Sequence, residues 1–236
     1  MYKIPEELKK KIFFVIPTYN EEKTIERVIK ELHKEGFKNL IIVDDGSKDK
    51  TSKNVLENQK EGLILLIHPI NRGQGAALKT GIDYCIRQKE CKYIVTFDSD
   101  GQHRLSDLPK FIEPLEKKQC EMVLGSRFLD KDTKKNIPLK KIILLKGAIL
   151  VTFFLSRKWF TDTHNGYRVM TKEIAKKIEI SMDGFEHASE ILDEIVKKQI
   201  IYKEVPVYID YTDYSKKKGQ KITNSINILT KMILKK

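Results

Sequence analysis

Two aspartates one residue apart, Asp98 and Asp100, follow directly on the apolar run Tyr93 to Phe97. Carboxylates at that spacing, just past a strand end of an open α/β sheet, point into the crevice where such sheets bind ligands. Their oxygens suit a hard divalent cation, Mg²⁺ or Mn²⁺, clamped to a diphosphate. The run Asp98-Ser99-Asp100-Gly101 is also good turn chemistry, and a short motif alone does not decide between the two.

A second acidic cluster, Asp44-Asp45-Gly46-Ser47, likewise ends an apolar run. A carboxylate there could accept hydrogen bonds from a nucleobase or ribose; helix capping, with Asp49 and Thr51 as starting residues, explains it equally well. Pro17-Thr18-Tyr19-Asn20-Glu21-Glu22 closes the first run and opens a helix, with Thr18 or Asn20 as cap and Tyr19 able to stack on a base. Asn71-Arg72-Gly73-Gln74-Gly75-Ala76 places a cation and two glycines before a helix, an arrangement able to admit phosphate against helix amides. It is no dinucleotide fingerprint, because Leu78 stands where the third glycine belongs. Among the histidines, His103 is disfavoured as a third ligand of an oxygen-preferring metal. His164 is read either as a phosphate contact or as a loop hydrogen bond, His187 as packed on a helix face, and His33 and His68 as surface residues.

The elements that must position these residues are legible in the periodicity. Strands are expected at Ile12 to Ile16, Leu40 to Val43, Leu63 to Ile67, Tyr93 to Phe97, Met122 to Leu124 and Ile200 to Ile209. Helices are expected at Glu21 to Lys34, Gly75 to Arg87 and Glu186 to Lys198. Strand alternating with helix predicts an α/β fold with a mostly parallel sheet. The chain of 236 residues, 40% hydrophobic, has material for one full-sized core. A single domain is expected over 1–236, with residues 11–130 as the ligand-binding half and 131–236 as an added half.

Lys and Arg number 45 against 33 Asp and Glu, a net charge of +12, which favours anionic partners. The basic residues are spread along helices and the tail without interleaved aromatics, so nucleic acid is not expected. Cys85, Cys91 and Cys120 form an odd set without metal spacing, as for free thiols in a reducing cytoplasm. The polar stretch Met1 to Lys11 lacks the apolar run of a signal peptide, and no apolar run reaches the ~20 residues of a spanning helix. Lys140 to Phe160, apolar with basic flanks and Trp159 near its end, reads as a helix in the membrane interface. Gln220 to Lys236 spaces Ile222, Ile226, Leu229 and Ile233 as an apolar stripe that packs on the core or lies on lipid. A cytoplasmic, peripherally membrane-associated chain is expected.

Taken in order, Pro-Thr-Tyr-Asn-Glu from Pro17, Asp-Asp-Gly-Ser from Asp44, Asn-Arg-Gly-Gln-Gly-Ala-Ala from Asn71, Asp-Ser-Asp-Gly-Gln-His from Asp98, Gly-Ser-Arg from Gly125 and Asp-Thr-His-Asn-Gly-Tyr-Arg from Asp162 resemble family 2 glycosyltransferases. The likeness is nearest to polyprenyl-phosphate hexose transferases of the dolichyl-phosphate mannose synthase type, and runs strongly from Lys11 to Met170. It implies the GT-A fold, a Rossmann-like central sheet flanked by helices with a C-terminal acceptor-side extension. It also implies a metal at Asp98 and Asp100 assisted by Gln102, and a donor site of Pro17, Tyr19, Glu21, Asp45, Asp98, Ser99 and Arg127. Arg168, His164 and Lys218 fall toward the diphosphate or acceptor, and Glu190 on the acceptor-side helix. His164 and Asn165 stand where mannose synthases have smaller residues.

The reaction so implied is inverting transfer of a sugar from a UDP-, GDP- or dTDP-linked donor. Metal held by Asp98 and Asp100 would neutralise charge on the leaving diphosphate, supplemented by Arg127 and Arg168. The acceptor is either polyprenyl phosphate, already ionised, or a hydroxyl of a lipid-linked glycan, which needs Glu190 or Asp162 as base. The expected surroundings are an anionic membrane surface and a small membrane-protein partner. A sugar nucleotidyltransferase is disfavoured because Pro17 to Glu22 is no Gly-rich basic loop, and an inactive donor-binding scaffold because Asp98, Asp100 and Arg127 are intact.

Overall fold

In the computed structural model, which describes residues 2–129, 142, 145–147, 149, 153 and 157–210, strand β1 (Ile12–Thr18) is buried at every position. A strand covered by helices on both faces carries a continuous apolar run of this kind. Ile12, Phe14 and Ile16 enter one helical layer and Phe13 and Val15 the other, the two-residue period of a strand. β2 (Leu40–Asp44), β3 (Leu63–Ile67), β4 (Tyr93–Thr96), β5 (Met122–Ser126), β6 (Arg168–Thr171) and β7 (Tyr202–Pro206) complete one sheet of order β3-β2-β1-β4-β6-β5-β7. β6 is antiparallel to both neighbours, and the other pairs are parallel.

Helices with described bounds include α1 (Glu6–Lys9), α2 (Ile25–Lys34), α3 (Thr51–Glu57), α4 (Gln74–Arg87), α5 (Leu108–Glu116), α6 (Lys172–Lys177) and α7 (His187–Lys197). Ile25, Val28, Ile29 and Leu32 of α2 and Leu108, Phe111, Ile112 and Leu115 of α5 fill one layer. Ala77, Leu78 and Ile82 of α4, Ile174 of α6 and Ile191, Leu192 and Ile195 of α7 fill the other. Each large aliphatic side chain so buried contributes about 1.5–3 kcal/mol. Gly81 lets α4 lie close on the sheet: a Cβ there would come 2.4 Å from Val15 Cγ1.

The architecture is the expected α/β arrangement, a mixed but mostly parallel sheet between helical layers. Its departures have local causes. α2 begins at Ile25, four residues after the expected Glu21, because Asn20 takes φ 53° and Glu21 to Thr24 hydrogen-bond to the next loop and to one another. β7 ends at Pro206, leaving Ile209 only an isolated bridge to His103. β6 and α5 carry no clear period in sequence; β6 is only four residues long, and α5 carries Pro109 and Pro114. Most of Lys140 to Phe160, all of Gln220 to Lys236, and Lys218 lie outside the described residues. Where the former segment is described, Leu145 and Ile149 are buried and Lys146 is exposed. Among the described residues, no helix is long and apolar enough to cross a membrane.

Candidate active site

Strand register decides which side chains meet. Thr18 pairs with Asp44 and Val15 with Thr96, so β1, β2 and β4 end along one edge, with Asp45 and Asp98 just beyond it. Arg168 pairs with Thr96 on the reversed strand β6, which returns the segment before it to the end of β4. Thr96 Oγ1 donates to the Gly166 carbonyl at 2.5 Å, and Ser99 Oγ to the Pro17 carbonyl at 2.9 Å. A cavity of about 510 Å³ opens at this edge. Pro17, Tyr19, Glu21 and Asp45 line it beside β1 and β2, Asp98, Ser99, Asp100, Gln102 and His103 beyond β4, and Arg127, His164, Asn165, Arg168 and His187 farther along the sheet.

Asp98 Oδ2 accepts from His103 Nε2 at 2.8 Å and Oδ1 from Gln74 Nε2 at 3.1 Å. Burial opposes its charge, but His103, with His187 and Arg168 beyond, outweighs burial and holds the carboxyl below its usual range. Asp100 is pushed up, first by burial and then by the charge on Asp98. Gln102, expected as a metal ligand, donates its backbone N–H to Asp100 Oδ1 at 2.9 Å and its side-chain amide to Oδ2. In this arrangement it orients a carboxylate. Two carboxylates facing one cavity, one made harder to ionise by the other, form an oxygen donor set that a divalent cation satisfies. Among the described residues no group of three or more His, Cys, Asp or Glu is placed to hold a metal. The further ligands of a cation here would be substrate oxygens and water, as is usual for Mg²⁺.

Arg127 and Asp162, both buried, form a two-point ion pair: Nε to Oδ2 at 2.6 Å and Nη2 to Oδ1 at 2.7 Å. Burial raises the cost of the Asp162 charge, but Arg127 outweighs it and keeps the carboxyl below its ordinary value. Asp162 also accepts from the backbone N–H groups of Arg127 and His164. Its oxygens are engaged, and it is not among the cavity's lining residues. Glu190 is likewise turned elsewhere: its carboxylate accepts from the backbone N–H groups of Ser181 and Met182 at 3.0 and 2.9 Å, and from the Ser181 hydroxyl. The structure thus does not bring either expected base to the cavity. Arg168 is 3% exposed and donates to the Ala188 carbonyl at 3.1 Å; burial lowers its pKa to about 10, still cationic at neutral pH. His164 both lines the cavity and makes a loop hydrogen bond to Thr163 Oγ1. Burial, then Arg127, lowers its pKa to about 4, so it brings no charge to a phosphate at neutral pH.

Asp45 binds the loop that follows β3. Oδ1 accepts from His68 Nδ1 at 2.7 Å and Arg72 N at 3.0 Å, and Oδ2 from Gly73 N at 2.7 Å. His68 is therefore no surface residue: it is 8% exposed, and its Nε2 meets Thr80 Oγ1 at 2.9 Å. Gly73 and Gly75 admit chain where the sequence suggested phosphate. Ala76 N donates to the Asp183 carbonyl at 3.1 Å, and a Cβ on Gly75 would lie 2.0 Å from the Met182 carbonyl oxygen. His187 opens α7, donates Nδ1–H to the Gly184 carbonyl at 2.7 Å and faces the cavity instead of only packing on a helix. Periodicity does not reveal Gln74 or His68, because each meets a carboxylate distant in sequence, nor His187, which only the tertiary fold brings to the cavity. Lys218 lies outside the described residues.

The glycosyl transferase family 2 model matches residues 13–179. An uncharacterised protein of Methanocaldococcus jannaschii is 41% identical over 230 residues, 97% of this chain and 93% of that one. The UDP-N-acetylglucosamine–dolichyl-phosphate N-acetylglucosaminyltransferase of Methanococcus voltae is 33% identical over 243 residues, 96% of each chain. Glucosyl-3-phosphoglycerate synthase of Mycobacterium tuberculosis, solved with phosphoglyceric acid, superposes with a TM-score of 0.70 at 18% identity, covering 97% of this chain and 79% of that one. The same enzyme solved with Mn²⁺, UDP-glucose and phosphoglyceric acid matches with a TM-score of 0.68 at 17% identity, over 99% and 82%. The fold is GT-A, and the chain belongs to glycosyltransferase family 2.

Proposed function

We propose that this glycosyltransferase moves a sugar, with inversion, from a nucleoside-diphosphate sugar to a polyprenyl phosphate at the cytoplasmic face of a membrane. The observation that carries the reading is the composition of the cavity wall: Asp98 and Asp100 share it with Arg127 and Arg168, while Asp162 and Glu190 are tied up elsewhere. A hydroxyl acceptor needs a base within reach. A phosphate acceptor is already an anionic nucleophile at neutral pH and needs only cations to hold it. The Methanococcus voltae relative is named for a dolichyl-phosphate acceptor and a UDP-linked donor, which makes UDP-sugars the first to test. The net charge of +12 suits an anionic membrane surface.

Along the sheet, Pro17, Tyr19 and Glu21 would meet the nucleoside, with Asp45 holding the Arg72–Gly73 backbone beside it. Asp98 and Asp100 would hold Mg²⁺ or Mn²⁺, a Lewis acid that offsets charge on the departing diphosphate. Arg127, clamped by Asp162, would contribute a fixed cation to the same charge, and Arg168 another to the entering phosphate. The half over 11–130 would thus supply the nucleotide end, and 131–236 the acceptor end.

The test is a transfer assay read by mass spectrometry, with purified protein, Mn²⁺ or Mg²⁺, a panel of UDP-, GDP- and dTDP-sugars and a short polyprenyl phosphate. One glycosyl phospholipid, absent with Asp100→Asn, is expected. Donor turnover without lipid product would move the acceptor to a glycan hydroxyl, and no donor binding would overturn the reading.

A further inference from the structure

Asn165 is 4% exposed, and among the described residues its Nδ2 has no hydrogen-bond partner. Its orientation is fixed. Oδ1 accepts from the Tyr167 N–H at 2.8 Å, and because an N–H only donates, the amide cannot be reversed. Nδ2 is left as an unsatisfied buried donor on a residue that lines the cavity. Buried donors are almost always paired, so an orphan on a residue of the cavity wall is a donor left for a ligand or a water.

His187, in the same wall, is the complementary case. The Gly184 carbonyl at 2.7 Å can only accept, so Nδ1 carries the ring proton. Burial, then Arg168, keeps the ring neutral by lowering its pKa to about 4, and Nε2 is left with a lone pair that only accepts. Asn165 and His187 thus present a donor and an acceptor, each with its polarity set by a backbone partner.

Their place in the fold says which part of a ligand they meet. Across the sheet order β2-β1-β4-β6, the nucleoside end falls at β1 and β2 and the diphosphate at Asp98 beyond β4. Asn165 precedes β6, and a Cβ on its neighbour Gly166 would lie 2.7 Å from Asp98 Oδ2. His187 feels the charges of Arg168 and Asp98. In a nucleotide sugar, the group attached beyond the diphosphate is the sugar ring.

We infer that Asn165 and His187 read the transferred sugar, Asn165 Nδ2 donating to an oxygen substituent of the ring and His187 Nε2 accepting from one of its O–H or N–H groups. The inference rests on the proposed transferase function. The ligand chemistry is that of a hexose with a hydroxyl or an acetamido group at the position the pair faces.

Asn165→Ser keeps a side-chain oxygen for the Tyr167 N–H but removes the amide donor. His187→Asn keeps a donor for the Gly184 carbonyl but removes the Nε2 acceptor. Calorimetry on the full chain with Mn²⁺ would compare UDP, UDP-glucose and UDP-N-acetylglucosamine, and GDP with GDP-mannose, after thermal unfolding has shown each variant folded. Both variants are expected to bind the nucleoside diphosphate within about two-fold of wild type and the matching nucleotide sugar about ten-fold more weakly. A loss confined to the N-acetylglucosamine donor assigns the pair to the acetamido group; a loss shared by the hexose donors assigns it to hydroxyls. Equal loss for nucleoside diphosphate and nucleotide sugar, or no loss, overturns the inference while leaving the transferase reading intact. Wild-type protein that binds no nucleoside diphosphate overturns both. Should one variant fail to fold, the other decides by the same criterion.

Discussion

The guanidinium of Arg127 and the carboxylate of Asp162, 35 residues apart in sequence, meet through two hydrogen bonds of 2.6 and 2.7 Å in a buried pair. Asp162 therefore works through Arg127, and the cavity gains a cation whose position is set from behind. Removing one partner of such a pair leaves the other charge buried and uncompensated, at a cost of about 3–5 kcal/mol. Asp162→Ala is expected to lose that much stability by urea denaturation at pH 7, with activity lost alongside. A variant that is fully stable yet inactive would instead make Asp162 a participant in the chemistry.

The same pair sets a pH dependence. The Asp162 carboxyl is held below its ordinary value in the folded chain, against burial, chiefly by Arg127. Its contribution is thus fully present above the unfolded value of about 4 and is lost as pH falls through the lowered folded value. The stability gap between wild type and Asp162→Asn is expected to be constant from pH 7 to about pH 5 and to narrow below that. A gap that widens on acidification would contradict the assignment.

Asp100 gives the opposite sign. Burial and the Asp98 charge raise its carboxyl, so cation binding that needs the ionised form fails earlier on acidification than an ordinary carboxylate would allow. Mn²⁺ titrations between pH 4 and pH 8 are expected to show affinity falling with an acid limb above about 4, the usual carboxylate value. Asp98→Asn, which removes the repelling charge, should weaken binding at neutral pH and move that limb downward.

Gly166 tests how closely the β6 approach controls the carboxylates. A Cβ there would stand 2.7 Å from Asp98 Oδ2, so Gly166→Ala must displace the Asp98 side chain. On the proposed reading, transfer is expected to fall by about 10²-fold or more, because the Asp98 charge is misplaced. The unfolding midpoint should change far less than in Asp162→Ala. Unaltered kcat in Gly166→Ala would remove Asp98 from the reaction.

His68 reaches the cavity only through Asp45, at 2.7 Å. His68→Ala leaves that carboxylate, and Thr80, short of a partner and loosens the loop at Arg72 and Gly73. Donor KM is expected to rise by about five-fold to a hundred-fold, the range of a broken buried hydrogen bond, while kcat at saturation stays near wild type. A fall in kcat with KM unchanged would speak against a positioning role.

Much of this was legible along the chain because it depends on short-range pattern. The continuous apolar runs of β1 and β2 betray strands buried on both faces, the stripe Ile25, Val28, Ile29, Leu32 betrays a helix, and both strands turn polar or acidic where their sheet must end at a crevice. That Asp45 and Asp98 stand on one edge is a consequence of parallel strands alone. The helix α5 was not legible, since its prolines mask the period, and neither was β6, too short to alternate.

What the sequence by itself determined is therefore the α/β class, the family, and the edge of the sheet where Asp98 and Asp100 lie, since local periodicity and ordered motifs carry that information. The partners of the polar side chains that bridge distant segments were decided only in three dimensions. Glu190 is a candidate base by resemblance to the family, but its carboxylate is engaged by the backbone of Ser181 and Met182. His68 turns inward to Asp45, and Asn165 and His187 face one cavity. These outcomes hang on the antiparallel return of β6 and on the loop that packs against Gly73 and Gly75. The physical reason is that a buried polar group must find its hydrogen bonds among whatever the tertiary fold brings within about 3 Å, and sequence neighbours do not reveal which groups those are.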